Sequence, residues 1–407
     1  MTKREWLGPA SLALLTCVGQ LKENPLLQWV PVDLTLLVFG LVLIMVIRAR
    51  LIHGPTTGRV LIPWALWGAF IPAVALSDFD SYSTTKITTL FTVTLILAIA
   101  PFYLLREPSQ RVAFLRALAV VAVIIAVLAL LNPSTSASYT NRLTLEGADT
   151  IGTARVSMAG AVILTLTAFQ RGIKPIWRIG MVLLAGMTAM LGVLSGSRGP
   201  VIAGVAAIVV VIAIAPAMKR YRGRALISAG LLGIVVVWIA IQNESDGLNR
   251  IASILTGEPS TSSNIRSSLW ETGLDRLIVT PLGAGWGGYE SAGSIYRYPH
   301  NLLIEVGIEG GWLLLLVVTV LIIATLIRGV MVAKNTSGVI FLGLFIFSII
   351  NVMVSGDING TRLFWPVLFV MWVIPASDSE PWFYSSSARR AREAYAVRVP
   401  ITNGGAA

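Results

Sequence analysis

The chain has 407 residues, of which 55% are hydrophobic and only 13% charged, with a mean hydropathy of +0.79. A soluble protein of this length needs far more polar surface around its core, so the composition excludes one and predicts an all-α polytopic membrane protein. A net charge of +11 raises nucleic acid as a partner, a question decided by where the charges sit.

The first element starts basic and continues apolar, MTKREWLGPASLALLTC, without a small-residue cleavage site. It predicts an uncleaved first span over 6–21. Its Cys17 is the single cysteine of the chain, which rules out an internal disulfide and a cysteine-based metal cluster. Runs long enough for a spanning helix, about 17–25 residues, follow at 30–47, 60–77, 86–104, 112–131, 155–169, 179–195, 200–217, 225–242, 301–327, 339–355 and 362–377. That gives about twelve transmembrane helices in one membrane-embedded domain, 1–377, with a basic, disordered tail at 378–407. Alternate connections collect 21 of the 31 Lys and Arg against five acids, from Lys3 and Arg4 to Arg389 and Arg398. By the positive-inside rule that side and both termini are cytoplasmic. The basicity is thus a topology signal, and no nucleic-acid partner is expected.

In the external loop before the fourth span, Asp78 and Asp80 form a D-x-D pair of the kind that holds a divalent ion against a phosphate. Two aspartates in an outer loop are also common without any metal, and no metal site is assigned. A small external segment covers 132–154. Between spans seven and eight, LSGSRGPV (Leu194–Val201) makes a tight reversal with Arg198 at its tip. Free N–H groups at a helix start plus a guanidinium make a phosphate cradle; the plainer alternative is an arginine snorkelling at the interface.

The long external loop, about 243–300, carries SSNIRSSLWETGLDRL. Ile265, Leu269, Leu274, Leu277 and Ile278 recur at helical spacing opposite Arg266, Glu271, Asp275 and Arg276. This predicts an amphipathic helix at the membrane surface, with Trp270 as an interfacial anchor. GAGWGG, 283–288, fits GxGxxG in form only. It follows a Thr-Pro turn rather than a strand, so it reads as a flexible turn and not a dinucleotide site.

The loop ends in YPHNLLIEVGIEGGW, where His300 stands at the mouth of an apolar span. A lone histidine in such a place is commonly structural, yet its exposure to exchanging protons and its near-neutral pKa suit a general base. Asn301, Glu305 and Glu309 share one helical face behind it, and ionisable groups within a span are functional candidates. In the turn between the last two spans, SGDINGTR, Asp357 and Arg362 are expected to form an ion pair that orients the turn.

In order, a G-S-R-G hairpin, the RSSLW segment, P-L-G-x-G, and H-N-x-x-L followed by Gly307, Gly310 and Gly311 resemble the O-antigen ligase and polymerase superfamily of bacterial envelope enzymes over roughly 150–375. The resemblance implies a metal-independent, inverting glycosyltransferase on the outer face of the cytoplasmic membrane, requiring no cofactor. Its partners would be membrane lipids, a glycan donor on undecaprenyl diphosphate, and a lipid or glycan acceptor. It implies that Arg198 and Arg266 hold the diphosphate and that His300 activates the acceptor hydroxyl; Glu305, Asn301, Trp270, Asp357 and Arg362 are weaker supporting candidates, singled out by their positions rather than by the resemblance. The same residues would serve an O-antigen or exopolysaccharide polymerase. A transporter of lipid-linked glycan is the rival from another class, because embedded acids suit alternating access.

Overall fold

Acidic and amide side chains begin several of the helices. Asp33 accepts from Thr35 and Leu36 N–H at 2.7 and 3.2 Å, Asp80 from Ser83 N–H at 2.6 Å, and Asp149 from Gly152 N–H at 2.7 Å. Asn301 accepts from Leu303 and Ile304 N–H. Each cap satisfies N–H groups that a helix start leaves without a partner. The structure, a computed structural model, describes residues 3–54, 58–131, 134–136, 139–170, 172–227, 230–231, 234, 261–290, 296–334 and 336–376.

The described helices are α1 (Lys3–Cys17), α2 (Leu34–His53), α3 (Leu61–Ala75), α4 (Ser81–Leu104, with a π-helical stretch at Leu90–Thr94) and α5 (Pro108–Leu131). A short antiparallel hairpin, β1 (Ser134–Ser136) and β2 (Tyr139–Thr144), follows. Then come α6 (Thr150–Ala168), α7 (Pro175–Leu194), α8 (Arg198–Ile214), α9 (Thr261–Val279), α10 (Leu302–Val332), α11 (Thr336–Val354) and α12 (Phe364–Val373). The protein is an all-α polytopic membrane protein. Eight of the helical segments are long and apolar enough to cross a bilayer. Of the remaining expected spans, those at 6–21, 200–217 and 362–377 fall on the shorter α1, α8 and α12. The expected span at 225–242 lies mostly outside the described residues, as do the tail 378–407 and part of the loop at 243–300.

Helices α6 and α11 are apolar and enclosed nearly all round, while α2 and α7 keep exposed apolar faces, the pattern of inner and lipid-facing helices. Small residues let the inner helices approach: a Cβ on Gly192 of α7 would come within 2.7 Å of Met158 Sδ of α6.

Two non-helical segments enter the bundle, and both differ from expectation. The 281–288 stretch is a packed wedge rather than a flexible turn: Trp286 and Tyr289 are fully enclosed. Trp286 N–H donates to Ser77 Oγ at 2.8 Å and its indole N–H to Phe70 O at 3.2 Å. The wedge fits because α10 is broken at Gly311, whose φ of 79° takes it out of the helix. Carbonyls freed at the break accept from the wedge, Ile308 O from Ala284 N–H at 2.8 Å and Glu309 O from Gly285 N–H at 3.0 Å. Backbone away from helical pairing survives at this depth only when protein groups satisfy it. The second insertion is the 356–363 turn, with Ile358 fully enclosed. It leaves α12 just 10 residues long, about 15 Å of helix against the ~30 Å hydrocarbon core.

Candidate functional site

His300 sits at the junction of these insertions. Its φ of 57° lies in the left-handed region, which costs a non-glycine residue about 1–2 kcal/mol and so needs fixing from outside. On one side the Trp270 indole N–H donates to Pro299 O at 3.0 Å. On the other, Gly356 N–H points at His300 Nδ1 at 3.4 Å, and the Asn301 amide donates to Met353 O at 3.1 Å. Tyr298 packs edge-on against the imidazole, with ring centroids 4.6 Å apart. Burial, and then the guanidiniums of Arg266 and Arg155, push the His300 pKa down to about 4, with Asp357 opposing.

Arg266 lies one turn before Trp270 on α9, which packs its Ile265, Leu269 and Leu277 side on Ile304 and Ile308 of α10. Close approach is possible because Gly273 faces Ile304: a Cβ there would come within 2.6 Å. Leu274 and Ile278 of the expected apolar stripe do not join this packing and are exposed. Trp270 is half-buried and tied to Pro299, so its bond fixes the loop.

Arg198 opens α8 after the Ser195–Gly196–Ser197 reversal, with Gly196 at φ 69°. Beside it, a Cβ on Gly199 would lie 3.2 Å from Val354 at the end of α11, and one on Gly196 would lie 3.2 Å from Nε of Arg142 in β2. The hairpin, which sequence reasoning missed, thus adds a guanidinium next to the Arg198 loop. Its polar Ser/Thr-rich strands lack the alternation that signals a half-buried sheet. Arg198 itself is half-buried, and its Nε has no partner among the described residues.

Next to His300 opens a cleft of 290 Å³ walled by the ends of α1, α6 and α11 and by the 356–363 turn. Arg155 and Arg362 line it together with His300, whereas Arg198 and Arg266 do not. Arg155, in the second turn of α6, gives Nη2–H to Ser355 O at 2.7 Å. Sequence reasoning passed over it; the available signal was a cation two turns after a helix-capping aspartate, inside an apolar span. The expected Asp357–Arg362 ion pair is absent among the described residues. Asp357 Oδ1 accepts from Gly360 N–H at 2.6 Å instead, a bond within its own turn.

Beneath the site, Lys86 of α4 meets both glutamates of α10, at 2.6 Å from Glu305 and 2.7 Å from Glu309. Glu305 Oε2 also accepts from Ile358 N–H at 3.0 Å, and Asn359 fastens the same turn to Lys86 O at 2.9 Å. Glu305 therefore bears on His300 through the 356–363 turn rather than by contact. Lys86 was assigned only as the first residue of a span, and its pairing with acids 219 and 223 positions away carries no local signal.

Asp80 serves as the α4 cap, and its bonds from Ser83 lower its pKa. Among the described residues no three His, Cys, Asp or Glu side chains gather as a metal-binding group.

Residues 179–319 match the family model described as O-antigen ligase, and these limits enclose Arg198, Arg266 and His300. No curated protein and no solved structure matches the chain.

Proposed function

We propose that this chain, whose residues 179–319 match the O-antigen ligase family model, moves a glycan from undecaprenyl diphosphate onto a lipid or glycan acceptor at the outer face of the bacterial cytoplasmic membrane. The observation that carries this reading is the approach to the His300 turn of three segments, two of them, the Arg266 helix and the Arg198 loop, within the family match. The Arg266 helix reaches it through Trp270 and Pro299, the Arg198 loop abuts Val354, and Gly356 meets the imidazole.

In this reading Arg198 and Arg266 hold the donor's diphosphate and stabilise the charge that grows on it as it leaves. The acceptor hydroxyl oxygen attacks the anomeric carbon from the side opposite the diphosphate. The bond from that carbon to the diphosphate oxygen breaks, and the hydroxyl proton passes to His300, giving an inverted glycoside and free undecaprenyl diphosphate. Transfer through Nε2 uses the tautomer with hydrogen on Nδ1, so the long Gly356 contact is relinquished during turnover. No step calls on a metal or cofactor.

The test is transfer in reconstituted membranes. Arg198→Ala, Arg266→Ala and His300→Ala each abolish it without loss of expression, and EDTA leaves the wild type unaffected. Full activity in all three variants rejects the assignment; strong inhibition by chelator returns the Asp78/Asp80 pair to consideration. A polymerase would use the same site. Mass spectrometry of envelope glycans in a deletion strain separates the two, since full-length glycan on the carrier means ligase and single repeat units mean polymerase.

A further inference from the structure

The transfer step above uses one wall of the cleft beside His300 and leaves the other walls without a role. Those walls carry donors and acceptors together. Arg155 gives Nη2–H to Ser355 O, while its Nε is buried without an acceptor; Arg362 Nη1 is in the same condition. Gln20 donates its amide N–H to Asp149 at 3.0 Å and Asn351 donates its own to Phe347 O at 2.8 Å. The carbonyl oxygen of each is left buried without a donor among the described residues. Asp149 and Asp357 stand beside them in the same lining.

We propose that this cleft is the subsite for the acceptor's reacting sugar, held as an uncharged ring with several hydroxyls. The inference rests on the transferase reading and deepens it by giving the acceptor a place. A hydroxyl both donates and accepts, so a polyhydroxylated ring matches a wall that presents both kinds of unengaged group. An oxyanion would engage only the guanidiniums and would face two carboxylates. A cation would face the guanidiniums, and an acyl chain would leave every one of these groups unsatisfied. His300 and Tyr298 lie on the same lining, so a ring seated there brings a hydroxyl to the imidazole. A small concave site with a few convergent polar groups and aromatic surface is the usual form of such a pocket.

The experiment uses the full chain in lipid nanodiscs. Saturation-transfer NMR is recorded with the methyl glycosides of a neutral hexose, an N-acetylhexosamine and a hexuronic acid. Inorganic phosphate is followed by its phosphorus line width, and undecaprenyl diphosphate by native mass spectrometry. A neutral methyl glycoside is expected to bind the wild type and His300→Ala. Its binding weakens about tenfold in Asn351→Leu and in Gly152→Val, the order of magnitude of one or two lost hydrogen bonds. Gly152 is chosen because a side chain there runs into the Gln20 amide. Arg155→Lys replaces either variant if it fails to elute as folded protein. Both variants keep undecaprenyl diphosphate.

The proposal is overturned if only the uronide or phosphate binds, if no probe glycoside binds, or if Asn351→Leu loses undecaprenyl diphosphate while keeping the glycoside. Failure of the wild type to bind undecaprenyl diphosphate would instead count against the transferase reading, and is read in a separate arm.

Discussion

Lys86 Nζ lies 2.6 Å from Glu305 Oε1, with both side chains shut away from solvent, and this one contact joins α4 to α10 directly below the candidate site. Glu309 completes the group at 2.7 Å, so one ammonium neutralises one of two carboxylates. The rest is stabilised by backbone: Ile358 N–H reaches Glu305 and Gly287 N–H reaches Glu309. Each inserted segment is thus anchored to a different glutamate of the same clamp.

Removing the cation leaves two buried carboxylates facing each other. Breaking a buried ion pair from one side costs about 3–5 kcal/mol, so Lys86→Met is expected to lower the melting temperature sharply in detergent. Adding Glu309→Gln to Lys86→Met recovers part of the loss, because one uncompensated charge is then gone. An unchanged melting temperature for Lys86→Met would show that the clamp does not hold the bundle.

The wedge and the broken helix make the next prediction. Gly283 has φ 95° and Gly311 φ 79°, and the two backbones touch: a Cβ on Gly283 would lie 2.6 Å from Glu309 O, and one on Gly311 2.6 Å from Leu282 C. Alanine at either position combines a strained φ, about 1–3 kcal/mol, with a clash against backbone that has nowhere to go. Both variants are expected to lose folded yield in size-exclusion profiles, whereas Gly54→Ala, equally at positive φ but in open space, loses less. Equal behaviour of all three would mean that the close approach is unimportant.

What the sequence revealed and what it withheld divide along physical lines. Apolar runs and capping residues act within a few positions, so most helices fell within a turn or so of expectation, and the helix carrying Arg266 and Trp270 was legible from its period. The insertions were not, because GAGWGG and SGDINGTR look like surface turns until partners far away in the chain supply their hydrogen bonds. For the same reason His300, Arg198 and Arg266 stood out by motif. Lys86 and Arg155 did not, since their meaning lies in contacts with Glu305, Glu309 and Ser355.

Trp270 tests whether α9 positions the loop that carries His300. Trp270→Phe keeps most of the apolar ring but removes the N–H that Pro299 O accepts. One net hydrogen bond is worth about 0.5–1.5 kcal/mol. A fall in kcat of roughly two- to tenfold is therefore expected, with near-normal expression and donor binding. A rise in donor KM at constant kcat would instead place Trp270 against the donor.

The pH dependence follows from the charges around His300. In the proposed mechanism its neutral form is the base, and burial with Arg266 and Arg155 lowers its pKa to about 4. In the free protein the base form therefore persists through the whole neutral range, and kcat/KM falls only as pH drops through about 4. A donor diphosphate against Arg266 offsets that positive charge, which raises the His300 pKa in the complex. The acid limb of kcat is then expected at higher pH than the limb of kcat/KM, the reverse of what a pKa set by burial alone would give if donor binding excluded more water. Asp357 raises the His300 pKa, so Asp357→Asn moves the kcat/KM limb to lower pH. The chain has only two histidines, so a His53→Gln background leaves a single imidazole to follow by NMR with and without undecaprenyl diphosphate. A His300 resonance whose titration does not move when the donor binds would separate the imidazole from the diphosphate site and reject the shared geometry.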